Sequence, residues 1–281
     1  MATTFGEFAP SSLDRAVIAA TSRMPNNWLG LQMAILLRRI VTSRLNGSGV
    51  DVRRWGLNMR LHPGDNGCEE NLLFTPQMYE PVERAELAAE IRRAYAQRRP
   101  LVFVDIGANV GLFSLFVASH RECALNIIAV EPEPGNVGRL LFNVGANAPL
   151  PIRVKPIALG WSAGRTRVKR DRRDRGGTTT QALPSEGADS ANSVSCMPLT
   201  DVLREEQIEA IDALKIDTEG AEDAILVPFF RDAPASLWPR MIIIEDAGPR
   251  WSVDLLALMM KRGYVVSARS KQNIVLRRTA V

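Results

Sequence analysis

The chain has 281 residues, long enough for one large domain or a domain with an extension. With 46% hydrophobic, 23% charged and 6% aromatic residues it can build a sizeable core, which excludes a mostly disordered chain. The net charge of +4 is local: residues 165–175 hold seven basic and two acidic residues, so the rest is close to neutral and a generally basic nucleic-acid binder is excluded.

The amino terminus, MATTFGEFAP, lacks a basic segment followed by an apolar block, so no secretory signal is expected. Residues 11–20 and 26–45 both read as helices. In the second, Trp28, Leu31, Ile35, Leu36, Val41 and Leu45 form a broad apolar face beside Arg38, Arg39 and Arg44. Such a face predicts packing on the main domain or on a partner chain, which allows a homodimer. An apolar face flanked by arginines also suits a membrane-surface helix. The longest apolar stretches, such as residues 33–37, fall far short of the ~20 residues of a membrane span. Residues 47–64 contain two short alternating runs around Trp55 and Gly56, the pattern of a small hairpin. Residues 76–96 then read as a helix with Val82, Leu87 and Ile91 inside and its Arg and Glu residues outside.

From Pro100 the pattern changes. Short β-branched runs at 101–104, 126–130, 152–159, 213–216, 241–244, 264–267 and 274–276 alternate with helical periodicity at 112–119, 136–146 and 253–261. This is the mark of a βαβ sheet. Residues 1–80 are thus read as a helical extension with a hairpin, and 81–281 as the main domain. Within it, residues from about 165 to 193, basic and rich in Gly, Ser and Thr, read as a mobile loop leaving the sheet. Cys68, Cys123 and Cys196 are widely spaced and odd in number, so neither a disulfide framework nor a zinc cluster is indicated and a reduced, cytoplasmic protein is expected.

Four apolar runs end in a carboxylate: Asp105, Glu131, Asp217 and Glu245. A buried parallel strand is not expected to hold a charge in its middle, whereas its carboxyl end opens where ligands bind in open α/β sheets. Four carboxylates on one rim suit hydroxyls, amines and positive charge. Asp105 opens Asp105-Ile106-Gly107-Ala108-Asn109-Val110-Gly111 before an apolar helix, a glycine turn that lets a ligand approach the main chain. The spacing is GxxxG and not the GxGxxG of dinucleotide sites; Asn109 stands at the middle position, and no GKS or GKT follows. Glu131, 26 positions after Asp105, ends the next strand, where a carboxylate can accept from both hydroxyls of a ribose. A cationic nucleoside without phosphate and with an amino-acid tail fits this set, and S-adenosylmethionine meets that description.

The strings VDIGANVGLFS, AVEPEPGNVGRLLFN, PIALG, VSCMPLTDVL and LKIDTEGAE, in order over roughly residues 102–264, resemble the FkbM family of S-adenosylmethionine-dependent methyltransferases. The resemblance implies a class I methyltransferase fold, Rossmann-like, with a seven-stranded, mostly parallel sheet flanked by helices and an antiparallel last strand. On matching positions it implies that Asp105, Gly107, Ala108, Asn109 and Gly111 line the methionine and ribose part of the cofactor, together with Asp217. Glu131 and the adjoining Pro132 would hold the ribose, and Ala158 and Leu159 would lie near the adenine. The expected activity is O-methylation of a hydroxyl on a sugar or on a glycosylated or polyketide-like natural product.

Methyl transfer needs alignment of the acceptor, and an alcohol acceptor also needs a base. Asp217 or Glu219 is expected in that role, with Glu245 as a second candidate and Glu222 as a helix-dipole partner. His62 and His120 read as surface structure, and no His or Cys cluster suggests a catalytic metal. The residues 165–175 could clamp an anionic sugar or glycoside. No basic residues interleave with aromatics, so nucleic acid is not an expected partner. A nicotinamide-dependent oxidoreductase and a non-catalytic S-adenosylmethionine-binding protein are the competing readings.

Overall fold

A computed structural model describes residues 4–169, 179–182 and 193–279. The amino-terminal part runs through α1 (Ser12–Thr21), α2 (Trp28–Leu45), the antiparallel hairpin β1 (Val50–Arg54) and β2 (Leu57–Leu61), α3 (Gly67–Phe74) and α4 (Pro81–Ala96). Ser11 and Asp14 form a capping box on α1, and the Asn27 side chain accepts from Gly30 N on α2. The buried face of α2 differs from expectation. Gly30, Ala34 and Val41 point inward, while Trp28, Leu31 and Leu36 are exposed. Gly30 explains the choice, because a Cβ there would lie 2.2 Å from the Pro25 carbonyl oxygen. Small residues set the contact and the large ones are left outside.

The expected helix over 76–96 divides differently. Its helical part starts at Pro81, a residue suited to the first turn, and α3 stands before it, capped by Asn66, whose side chain accepts from Cys68 N and Glu69 N. The apolar residues of α3 are bunched at its end, Leu72 to Phe74, so it shows no helical period. Nor are the glutamates of α4 all outside. Glu83 accepts from Asn273 Nδ2 at 3.0 Å, and Glu90 from Arg277 Nη1 at 2.8 Å, both buried.

The main domain continues through β3 (Leu101–Ile106), α5 (Leu112–Ala118), β4 (Leu125–Val130), α6 (Pro134–Gly145), β5 (Ile152–Lys155) and β6 (Ala158–Leu159). Then come β7 (Gly164–Lys169), β8 (Thr179–Ala182), β9 (Ser193–Met197), α7 (Leu199–Glu205), β10 (Ala213–Ile216), α8 (Glu222–Asp232), β11 (Met241–Glu245), α9 (Leu255–Met260), β12 (Tyr264–Arg269) and β13 (Asn273–Arg278). Seven strands form one sheet in the order β12-β13-β11-β10-β3-β4-β5. β13 lies antiparallel between β11 and β12, and β11, β10, β3, β4 and β5 pair in parallel. This is the class I methyltransferase sheet.

Both faces are covered, so its strands are near-continuous apolar runs. Phe103, Ile127, Ala213, Met241 and Ile243 face a core shared with the amino-terminal helices and α5. Val104, Ile128, Leu214, Ile242 and Ile244 face the one shared with α7, α8 and α9. Each of these buried side chains larger than alanine contributes about 1.5–3 kcal/mol of transfer free energy.

Two expectations fail here. The run 152–159 is not one strand, since Pro156 cannot donate to a ladder; β5 stays in the large sheet, and β6 joins β9, β7 and β8 in a second one. The basic segment, read as a loop from about 165, is strand at β7 and β8, with β7 pairing antiparallel to both β8 and β9. The expected loop also covers residues 170–178 and 183–192, which lie outside the described residues.

Candidate active site

Asp105, near the end of β3, is 1% exposed and stands in register with Lys215 of β10. Its Oδ2 accepts from Ser114 N at 3.1 Å and Ser114 Oγ at 2.6 Å, while the buried Oδ1 accepts no hydrogen bond. Burial raises its pKa, against the pull of Lys215 and Ser114. The chain then turns through Gly107, Asn109 and Gly111, with φ of 70°, 52° and 84°. Glycine adopts this left-handed region freely and asparagine with a small penalty. At Gly107 space also demands glycine, because a Cβ would lie 1.8 Å from the Asp217 carbonyl oxygen. Gly107 N and Ala108 N donate to Val130 O, each at 3.0 Å, and Asn109 N donates to Glu131 Oε2 at 2.8 Å. The ends of β3, β4 and β10 are thus fixed to one another.

These ends surround a cavity of about 450 Å³. Asp105, Gly107, Ala108 and Asn109 line it from β3; Glu131 and Pro132 from β4; Ala158 and Leu159 from β6; Asp217 and Glu219 from β10; and Glu245 from β11. The four strand-end carboxylates therefore share one cavity. Gly111 does not line it: it caps α5 and packs on Leu140, whose Cδ1 is 2.2 Å from the position of a Cβ. Neither histidine lines it.

Sequence reasoning missed Glu80 and Lys215, both in the lining. Lys215 lies inside β10 and is 4% exposed, contrary to the expectation that a buried strand carries no charge in its middle. Burial disfavours its ammonium, but Asp217, Asp105 and Glu80 outweigh that and raise its pKa; the Nζ donates to Asp217 Oδ2 at 3.1 Å. Glu80 precedes Pro81 and has φ 39°, a strained conformation for glutamate. Burial pushes its carboxyl up to about 7, with Asp217, Glu83 and Asp105 adding to the rise and Lys215 opposing it. The visible signal for both was one residue out of pattern: a lysine in an apolar run and a carboxylate before the helix-starting proline. Glu131 is pushed up to about 7 as well, chiefly by burial, although the amides of Glu133 and Asn109 favour its charged form.

The loop after β10 is organised by Glu222. Its Oε1 accepts from Thr218 N at 2.7 Å, Thr218 Oγ1 at 3.0 Å and Gly220 N at 3.2 Å, and its Oε2 accepts from Trp251 Nε1 at 2.8 Å. More than a dipole partner, this fully buried carboxylate holds two loops. Asp223 adds a bond from Ser252 N at 2.6 Å. Arg250 then reaches over the cavity mouth, donating to Glu219 Oε2 at 2.9 Å and to Glu245 Oε1. Burial and the charges of Asp217 and Glu219 push Glu245 up to about 7, with Arg250 opposing; burial also raises Glu219. One oxygen from each of Asp217, Glu219 and Glu245 lies within 4.8 Å of the others, a spacing that a cation can bridge, and here the guanidinium of Arg250 provides positive charge.

Residues 105–266 match the family described as the methyltransferase FkbM domain. Methyltransferase sdnD of Sordaria araneosa is 31% identical over 151 residues, which are 44% of this chain and 58% of that protein. A methyltransferase FkbM structure from Methylobacillus flagellatus KT is similar at 16% identity and a TM-score of 0.43, over 87% of this chain and 60% of that one. A human methyltransferase 10 domain containing protein matches at 13% identity and a TM-score of 0.46, over 91% and 98%. The chain thus spans about three fifths of the sdnD and Methylobacillus proteins.

Proposed function

The chain belongs to the FkbM methyltransferase family, and from that premise we propose that it is an S-adenosylmethionine-dependent methyltransferase acting on a hydroxyl group. One observation carries the cofactor reading. The cavity is lined by carboxylates, its single lining cation among the described residues, Lys215, is engaged by Asp217, and the buried Asp105 Oδ1 has no donor. Such a donor set suits a ligand carrying an ammonium and a sulfonium and repels one carrying a pyrophosphate. That favours S-adenosylmethionine over a nicotinamide dinucleotide.

Asp105 and Asp217 face the amino-acid end, and the Gly107 to Asn109 turn lets it approach the main chain. Glu131 accepts from the ribose hydroxyls. Ala158 and Leu159 give an apolar wall for the adenine, held without a carboxylate partner. When bound, S-adenosylmethionine supplies a methyl group activated by its sulfonium leaving group. The protein's share is alignment and proton removal. Asp217 or Glu219 takes the acceptor's proton as the new bond to oxygen forms. Glu245, held near neutrality, is the second group able to do so. The acceptor class, a sugar or a glycosylated or polyketide-like small molecule, rests on the family resemblance. Arg165 and Arg167 extend the positive charge of the neighbouring segment, which suits an anionic glycoside in the cytoplasm, where cysteine thiols stay reduced.

Calorimetry tests the reading. S-adenosylhomocysteine is expected to bind and NAD to give no heat. Asp217→Asn and Glu219→Gln are expected to keep part of that binding and to lose turnover on a panel of sugar and polyketide hydroxyls. Binding of NAD alone overturns the cofactor assignment. Binding of S-adenosylhomocysteine with full turnover in both variants overturns the base assignment.

A further inference from the structure

The exposed side of α2 carries Trp28, Leu29, Leu31, Met33, Leu36 and Ile40, large apolar side chains that the active site does not use. Leu29, Met33, Leu36 and Ile40 recur at spacings of four, three and four, which places them in one line along the helix. They are 59%, 50%, 66% and 43% exposed, and Trp28, the first residue of the helix, is 74% exposed. Isolated apolar side chains on a surface are ordinary, but a contiguous line of four with Trp28 beside its first member marks an interaction surface.

The segment's own charges are of one sign, and two of its four arginines have acidic partners from other segments. Residues 22–49 contain Arg23, Arg38, Arg39 and Arg44 and no aspartate or glutamate. Arg38 pairs with Glu70 and Arg44 with Asp14, while Arg23 and Arg39 are exposed. Between α1 and β1 lies a shallow groove of about 580 Å³ bordered by Arg15, Arg23, Arg53 and Arg54. Its one carboxylate, Asp51, is buried against Arg60 at 2.7 Å. The amino-terminal helices therefore present apolar side chains in a field of arginines.

A second copy is a poor match for that field. A two-fold interface sets the same patch on both sides, and the two acidic neighbours, Glu70 and Asp14, are already taken up by Arg38 and Arg44, so Arg23 and Arg39 would face the same positive patch again. A surface of anionic phospholipid has the complementary sign and accepts a line of large apolar side chains at the depth of its headgroups. We propose that α2 lies along an anionic lipid bilayer, with Leu29, Met33, Leu36 and Ile40 among the upper acyl chains and Arg23 and Arg39 among the phosphates. Trp28 takes the interfacial level favoured by indole. This is peripheral attachment. No helix among the described residues is long and apolar enough to cross a membrane.

The test is co-sedimentation of the full chain with vesicles of phosphatidylcholine alone and with phosphatidylglycerol added. Sedimentation with the anionic vesicles, released by salt, is expected. Arg23→Gln with Arg39→Gln lowers partitioning by at least about tenfold. Leu29→Gln with Leu36→Gln abolishes it while the circular dichroism spectrum stays that of the parent. Absence of binding to either vesicle, or equal binding to both, overturns the proposal. So does light scattering that shows a dimer split by the leucine variant in a chain that ignores vesicles.

Discussion

Glu80 offers a direct test of the electrostatics around the cavity. Its carboxyl has a pKa of about 7 in the folded chain against an ordinary 4.5, chiefly because burial disfavours its charge. A carboxyl raised by folding holds its proton more tightly in the native state than in the unfolded one. Its contribution is fully present below pH 4.5 and is lost as pH rises through 7. The gap between 4.5 and about 7 corresponds to about 3 kcal/mol, and Glu80's partial exposure trims that to about 2 kcal/mol. Glu80→Gln keeps an acceptor for Asn273 Nδ2, which lies 3.3 Å from Glu80 Oε2, and removes the titration. Urea denaturation of both proteins at pH 4.5 and at pH 8 reads the difference. Near-equal stability is expected at the lower pH, and a variant more stable by about 2 kcal/mol at the higher one. A gap between the two proteins that does not change with pH would refute the reasoning, because only a titrating group produces the slope.

Lys215→Met leaves Asp105, Asp217 and Glu80 around an uncompensated buried site and is expected to cost about 3–5 kcal/mol in chemical denaturation. Glu222→Ala strands the backbone amides of Thr218 and Gly220 and the indole of Trp251; a loss of about 3–5 kcal/mol is expected, again by urea denaturation. Gly107→Ala drives a methyl group into the Asp217 carbonyl at a φ of 70°, and calorimetry should show loss of S-adenosylhomocysteine binding. Its control is Gly138→Ala inside α6, where a Cβ meets nothing within 4 Å; that change should stabilise by up to about 1 kcal/mol and leave binding intact.

The large sheet was legible because parallel strands covered on both faces read as unbroken apolar runs, and 213–216 matched β10 residue for residue. The carboxylates at the strand ends were legible for the same reason, each standing where an apolar run stops. Lys215 was not, since its burial depends on Asp105 and Glu80 arriving from two distant segments. Glu80 fell among the outward glutamates of the helix expected over 76–96, which starts only at Pro81 and leaves Glu80 in the turn before it. The inward face of α2 was legible only in part: Val41 and Leu45 pack inward as expected, whereas Gly30 and Ala34 take inward positions that a guide of apolar size passes over. The strands β7 and β8 are polar, and their pairing with β9 leaves no mark in hydrophobic pattern.

The clasp that Glu222 and Asp223 place on Trp251 and Ser252 restricts what can happen at the mouth of the cavity. The chain just after Arg250 is held by these bonds, and the turn before it by Arg250 N donating to Ala247 O at 2.7 Å, so the guanidinium that joins Glu219 to Glu245 hangs from an anchored segment. Whatever rearranges around Glu219 and Glu245 therefore has to come from the torsions of that one side chain, since its backbone is tethered on both flanks.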